Sequence, residues 1–237
     1  MFAHNVAIMW TDSSGRALSD YPRPSVAVDV ALLTVTWTGR MGQLAVLLHQ
    51  PTGGFAAGSW GLPGTFVRED ELLADAALRA LRAKVGVTGQ APQQLRVFDA
   101  LDRDERGRVL SVAHLDVVPE QDLTPTGTSW TLVPITAGRV RVQGQRRMPY
   151  DHDRIVTEAV SWVRSAYQRH PDPFALLGEE FTLSDLQKLH EAVAGHPLVK
   201  DTFRRGVAAS LRRTERERSG TVGRPAALYR HQDARGG

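Results

Sequence analysis

The stretch that decides the fold is GLPGTFVREDELLADAALRALRAKVGV, residues 61–87. A segment carrying Gly and Pro leads into a run where Ala74, Ala77, Leu78, Leu81 and Val85 recur at helical spacing. One apolar stripe of that kind predicts a helix over 72–85. Gly86 stands where the helix should stop, because glycine enters the left-handed conformation without a Cβ clash. Upstream, 51–58 is a Gly-rich loop, and 26–36 and 43–49 read as strands joined through a turn at Thr38-Gly39-Arg40. Downstream, strand patterns recur at 95–101, 109–118 and 130–135. A second helix over 153–168 places Ile155, Ala159, Trp162, Val163 and Ala166 on one face. Strands on both sides of one helix, closed by another, predict a mixed α/β/α sandwich of the α+β class.

Composition narrows the chemistry. The 237 residues include no cysteine, so disulfides, thiolate metal sites and a Cys nucleophile are excluded. No run approaches the ~18–20 apolar residues of a membrane span. The first residues, MFAHNVAIMWTDSS, lack the basic start and apolar core of a secretory signal, so a cytoplasmic location is expected. Net charge is +3, unevenly placed: residues 198–237 hold ten Arg/Lys against four Asp/Glu, leaving the first 197 residues at −3. A basic module on a mildly acidic body suits a polyanion partner, although a solvated basic tail gives the same count. The basic residues are 26 Arg and 3 Lys, a bias that favours phosphate forks and that a G+C-rich genome would also produce.

The basic module has an order of its own. FTLSDLQKLHEAVAG (181–195) reads as a helix, with Thr182 and Asp185 spaced as a capping box and Leu183, Leu186, Leu189 and Val193 on its apolar face. Residues 198–210 form a second helix, in which Phe203 and Val207 pack inward. LRRTERERSGTVGRPAALYRH (211–231) then reads as two strands around a basic loop. Helix, turn, helix and hairpin is the order of a winged helix-turn-helix, whose second helix and wing meet double-stranded DNA. Lys200, Thr202, Arg204 and Arg205 are the helix candidates; Arg212, Arg213, Arg216, Arg218 and Arg224 are those of the wing. The domain reading is therefore an N-terminal arm (1–24), a sandwich domain (25–170), a linker (171–180) and the winged helix (181–237).

The opening stretch resembles a Nudix box, the strand–loop–helix unit that binds nucleoside-diphosphate compounds. With Gly86 as its last glycine, Thr65 stands in the first Gly slot, Glu71 in the first Glu slot and Arg79 in the Arg slot. The three helical Glu slots hold Ala80, Ala83 and Lys84. These positions are related by i, i+3 and i+4 and so are placed on one helix face. Carboxylates there would hold Mg²⁺ against a diphosphate. Two methyls and an ammonium cannot, so no catalytic residue, metal or cofactor is expected, and Lys84 could itself pair with a phosphate. Arg103, Arg106 and Arg108 surround Gly107 in a predicted hairpin and could grip phosphate, or could be solvated turn charges. His49, Phe55 and Trp60 could contact a nucleotide, or belong to core and rim.

Over residues 26–231 the motifs VDVALLTV, WGLPGTFVREDELLADAALRAL, DRDERGRVLSVAHL, YDHDRIVTEAV, FTLSDLQKLHEAVAGHPLVKDTFRR and GRPAALYR resemble Nudix-related transcriptional regulators of the NrtR type. The resemblance implies a homodimeric repressor, with ADP-ribose or a related nucleotide as releasing effector and genes of NAD metabolism or sugar catabolism as targets. It implies effector contacts from Trp60, Gly64, Thr65, Phe66, Arg79, Arg103, Arg106 and Arg108. It implies DNA contacts from Lys200, Thr202, Arg204, Arg205, Arg212, Arg213, Arg218 and Arg224. Thr65 departs from the family's usual glycine. Two other readings stay open: a hydrolase using Glu69, Asp70 or Glu71, and a nucleotide-binding adaptor whose winged helix meets protein.

Overall fold

The computed structural model describes residues 11–127, 129–218 and 225–232. The decisive helix is α1, Leu73–Val85, and Gly86 ends it at φ +68° with its N–H donating to the Arg82 carbonyl at 3.1 Å. A side chain at Gly86 would also meet Thr126 Oγ1 at 1.8 Å, so both conformation and space require glycine. The apolar stripe is rotated from the expected one. Ala76, Ala77, Ala80, Leu81 and Val85 are buried, whereas Ala74 and Leu78 are exposed. Alanine at 74, 76, 77, 80 and 83 admits more than one face. The sheet residues Val28, Val30, Leu32 and Leu47 select the one against which α1 closes.

The main sheet comprises β1 (Ser25–Thr38), β2 (Met41–His49), β3 (Gly64–Phe66), β4 (Gln93–Phe98), β5 (Val109–Val117), β6 (Trp130–Thr136) and β7 (Arg139–Val140). Its order is β4-β5-β1-β2-β6-β7, with β3 also on β1; β1 and β5 run parallel and the other pairs antiparallel. Side chains of β1 alternate between two cores, as the two-residue period demands. Val28, Val30 and Leu32 face α1, while Ala31, Leu33 and Val35 face α2 (His152–Arg169). β4 stops at Phe98, short of the expected 101, because the Asp99 and Ala100 carbonyls turn to accept from the Arg108 guanidinium. β3 and β7 were not legible as strands: three and two residues show no alternation.

The C-terminal module comprises β8 (Phe181–Thr182), α3 (Leu183–Ala194), α4 (Lys200–Val207), β9 (Leu211–Arg218) and β10 (Ala226–His231). Its strands form a sheet in the order β8-β10-β9. The capping box is present: Asp185 N–H donates to Thr182 Oγ1 at 3.1 Å and Thr182 N–H to Asp185 Oδ2 at 3.2 Å. α4 is shorter than the expected helix, and 208–210 tighten into a 3₁₀ turn. Phe203 and Val207 bury inward with Phe181 and Leu186.

Segment 171–180 is packed rather than free. Asp172, 5% exposed, accepts from Tyr167 O–H and from the Leu176 and Leu177 N–H groups, and Phe174, Leu176 and Leu177 lie on the main core. α3 belongs to both modules, because Leu189, Ala192 and Val193 join the main core while Leu186 serves the small one. In the expected N-terminal arm, 1–10 lie outside the described residues. Thr11 bridges Ala17, which is buried, and Asp12 accepts from Ser14 and Arg16.

Candidate functional site

β1 changes partner along one edge. Its later half pairs with β2 and its earlier half, Ala27 to Asp29, with β3. The chain between β2 and β3 must leave the sheet and return, and a bridge between His49 and Gly61 holds the base of this excursion. The result is a cavity of about 280 Å³. Ala27 and Asp29 contribute from β1, Phe55 from the Gly-rich loop and Lys84 from α1, and Arg106 and Tyr150 also line it.

Asp29 is the polar centre, a carboxylate within the apolar run 26–33 of β1. Its Oδ2 accepts from Ser111 Oγ at 2.6 Å and Arg103 Nη2 at 3.2 Å. His152 Nε2 lies 3.2 Å from Oδ1, off the line a hydrogen bond needs. His152 Nδ1 accepts from Leu62 N–H at 2.9 Å, which turns Nε2 of the ring toward Asp29. Burial pushes the Asp29 carboxyl up, but His152, Ser111 and Arg103 together outweigh it and hold it below the usual range. Arg103 also grips Asp151 at 3.1 Å and the Tyr150 carbonyl at 3.0 Å. Tyr150 and Asp151 both have positive φ, +55° and +58°, a costly conformation for non-glycine residues that these contacts help hold. Close approach requires Gly64, because a Cβ there would sit 2.1 Å from Asp29 Oδ1.

The mouth is cationic and aromatic. Arg106 forks onto Asp104 at 2.9 and 2.7 Å and holds that carboxyl below its usual range. Its guanidinium carbon lies 4.8 Å from the Tyr150 ring centre, 5.2 Å from Phe66 and 5.9 Å from Phe55, a cation–π arrangement. At the other end, burial first and the Lys84 charge second push His49 below its ordinary value.

The winged helix presents a second candidate surface. Lys200, Thr202, Arg204 and Arg205 are exposed on α4, and Arg212, Arg213 and Arg218 are exposed on β9. Arg213 pairs with Glu217 at 3.3 Å and Arg218 with Asp185 at 2.7 Å; Arg216 and Arg230 share Glu180. Lys200, Arg204, Arg205 and Arg212 have no carboxylate partner among the described residues. Arg212 and Arg230 face each other across the strands, a like-charge pair that an anion would relieve. Arg224 lies outside the described residues.

Residues 26–163 match the NUDIX domain family, and residues 173–231 match the NrtR DNA-binding winged helix domain. The chain belongs to the Nudix family and carries an NrtR winged helix. It is 29% identical over 220 residues, 90% of this chain and 84% of the relative, to the ADPR responsive transcriptional repressor NtrR of Acinetobacter baylyi. Shewanella oneidensis NrtR superposes with a TM-score of 0.69 at 31% identity, over 87% of this chain and 94% of that one. Its complex with a 27mer DNA gives 0.68 at 29% identity, over 87% and 93%. Its NUDIX domain complexed with ADP ribose gives 0.50 at 25%, over 63% and 95%.

Within this Nudix domain the sequence-predicted residues separate. Gly64, Thr65, Phe66, Arg103 and Arg106 line the cavity. Trp60 does not; it packs on the main core, its backbone tied to Gln145. Arg79 is a brace outside the lining, donating to Glu71 at 2.6 and 2.7 Å, Thr65 Oγ1 at 3.0 Å and the Phe66 carbonyl at 2.9 Å. Arg108 closes the 99–108 turn, also outside. Arg103 lines the cavity but is matched to Asp29 and Asp151. Asp29, Asp104, Tyr150 and His152 were missed. Asp29 carried a signal, since a charge inside an apolar strand requires buried partners.

The Mg²⁺ of Nudix hydrolases does not fit these residues. Ala80 is 1% exposed, Ala83 offers only a methyl, and Lys84 is a cation. Glu71 is committed to Arg79, which holds its carboxyl down at about 2. Among the described residues no group of three His, Asp or Glu side chains could hold a metal ion. None of their helices is long and apolar enough to cross a membrane.

Proposed function

We propose that this protein is a cytoplasmic transcriptional repressor that binds operator DNA as a homodimer and releases it when an ADP-ribose-like nucleotide enters the cavity. The observation that carries the reading is the course of α2. Its first residue, His152, lines the cavity beside Asp29. Its last turns hold the winged helix: Arg164 Nε donates to the Val193 carbonyl at 3.0 Å, and the Tyr167 ring meets His190 edge-on at 5.1 Å. One helix thus touches both the cavity and α3 of the winged helix, so a ligand that displaces its start biases the placement of α3 and of the α4 packed beyond it. The arginine-lined aromatic mouth suits a nucleobase, and the unpaired cations on α4 suit phosphates. The repressor named in Acinetobacter and the DNA and ADP-ribose complexes of the Shewanella protein support the same assignment, and genes of NAD metabolism are the natural targets.

The domain acts as a sensor without hydrolysis. Of the carboxylates open to the rival hydrolase reading, Glu69, Asp70 and Glu71, the last is already occupied by Arg79. Fluorescence anisotropy with the protein's own promoter region tests the proposal. Binding should weaken steeply with salt, and ADP-ribose should release the DNA while remaining intact in the presence of Mg²⁺. DNA binding indifferent to salt and nucleotide would sink it.

A further inference from the structure

We infer that Lys84 replaces the divalent cation, so that the diphosphate of the effector is bound as the metal-free anion by a side-chain ammonium. The inference rests on the reading of the cavity as an effector site and goes beyond it by specifying how charge is recognised.

Three observations carry it. First, of the three helical positions where the Nudix box places metal ligands, only Lys84 lines the cavity; Ala80 is sealed under the helix. Second, the other cavity cations are already matched. Arg103 is shared between Asp29 and Asp151, and Arg106 is forked onto Asp104. Lys84 has no carboxylate within ion-pair distance among the described residues. Third, Gly53 and Gly54 line the same cavity with open space where a Cβ would stand, and so leave room for a ligand beside the backbone.

The chemistry follows from charge. A divalent cation is repelled by the ammonium and finds no cage of three carboxylate or imidazole ligands among the described residues to offset that repulsion. The diphosphate oxygens, by contrast, gain charge-assisted hydrogen bonds from the same group. The long methylene stem lets Lys84 reach toward the phosphates without movement of α1. Burial and the Lys84 charge also favour the neutral form of His49. Sensing would then be independent of the Mg²⁺ concentration, unlike binding in a metal-clamped site.

Calorimetric titration of the full chain with ADP-ribose, in EDTA and in millimolar Mg²⁺, tests this. Equal affinity in the two buffers is expected. Lys84→Ala should weaken binding by about 10-fold or more, the scale of a lost charged hydrogen bond, and Lys84→Arg should restore most of it. Lys84 is exposed, so the variants should melt as the wild type does. Binding that requires Mg²⁺, or full affinity in Lys84→Ala, overturns the inference and leaves the effector reading standing. No binding by the wild type in either buffer overturns both.

Discussion

In the cavity, Arg103 lies between two carboxylates with 2% of its side chain exposed, and Arg106 is forked onto Asp104. In the winged helix, Lys200, Arg204 and Arg212 stand in solvent without a carboxylate partner among the described residues. The side chains are chemically alike and their physical roles are opposite. A guanidinium taken out of water must be matched, so it fixes the architecture around it. An exposed, unmatched cation contributes little to folding and is available to a polyanion. Even on the wing the division holds: Arg216 and Arg230 are tied back to Glu180, and Arg218 to the capping Asp185.

The comparison breaks most visibly at Arg103. Arg103→Met strands Asp29 and Asp151 and should cost about 3–5 kcal/mol of stability, read from the midpoint of urea unfolding. A wild-type midpoint would show that the buried network is not structural. Next comes Arg204→Ala, which should lower operator affinity by about 1–3 kcal/mol and leave the melting temperature in place. If stability falls instead, Arg204 belongs with Arg103 and the contrast fails.

A subtler effect lies in pH. The hydrogen bond from Arg79 holds the Glu71 carboxyl down at about 2, below the ordinary glutamate value of 4.5. Its stabilisation is therefore complete above pH 4.5 and is lost as pH falls through 2. Thermal melts across that range should show a steeper acid decline for the wild type than for Glu71→Gln; parallel curves would remove Arg79 from the structural group. The smallest effect is expected at the exposed Arg213–Glu217 pair. Arg213→Ala should shift stability by no more than about 0.2–1 kcal/mol, while anisotropy reads a loss of DNA affinity.

Much of this organisation is legible in the chain. The α1 helix and its Gly86 stop, the Thr182/Asp185 capping box and the inward Phe203 and Val207 follow from local rules, because each depends on neighbours a few residues away. The face that α1 buries does not, since five alanines leave the choice to Val28, Val30, Leu32 and Leu47 across the interface. The fate of the arginines is equally invisible: Arg79, Arg103, Arg106 and Arg108 look alike as a list of cations. Only folding brings Glu71 to the first, Asp29 and Asp151 to the second and two backbone carbonyls to the fourth, whereas Asp104 stands two residues from the third.

The sequence by itself determined the order of the modules, the loss of metal-ligand chemistry at Ala80, Ala83 and Lys84, and the basic charge of the C-terminal module. These are properties of residue type and spacing, which the chain carries whether folded or not. The tertiary structure decided which charges are neutralised and which are left over, and that α3 packs into both cores. Those outcomes depend on distances of a few ångströms between residues far apart in the chain, where burial and partner geometry set the strength of a charge.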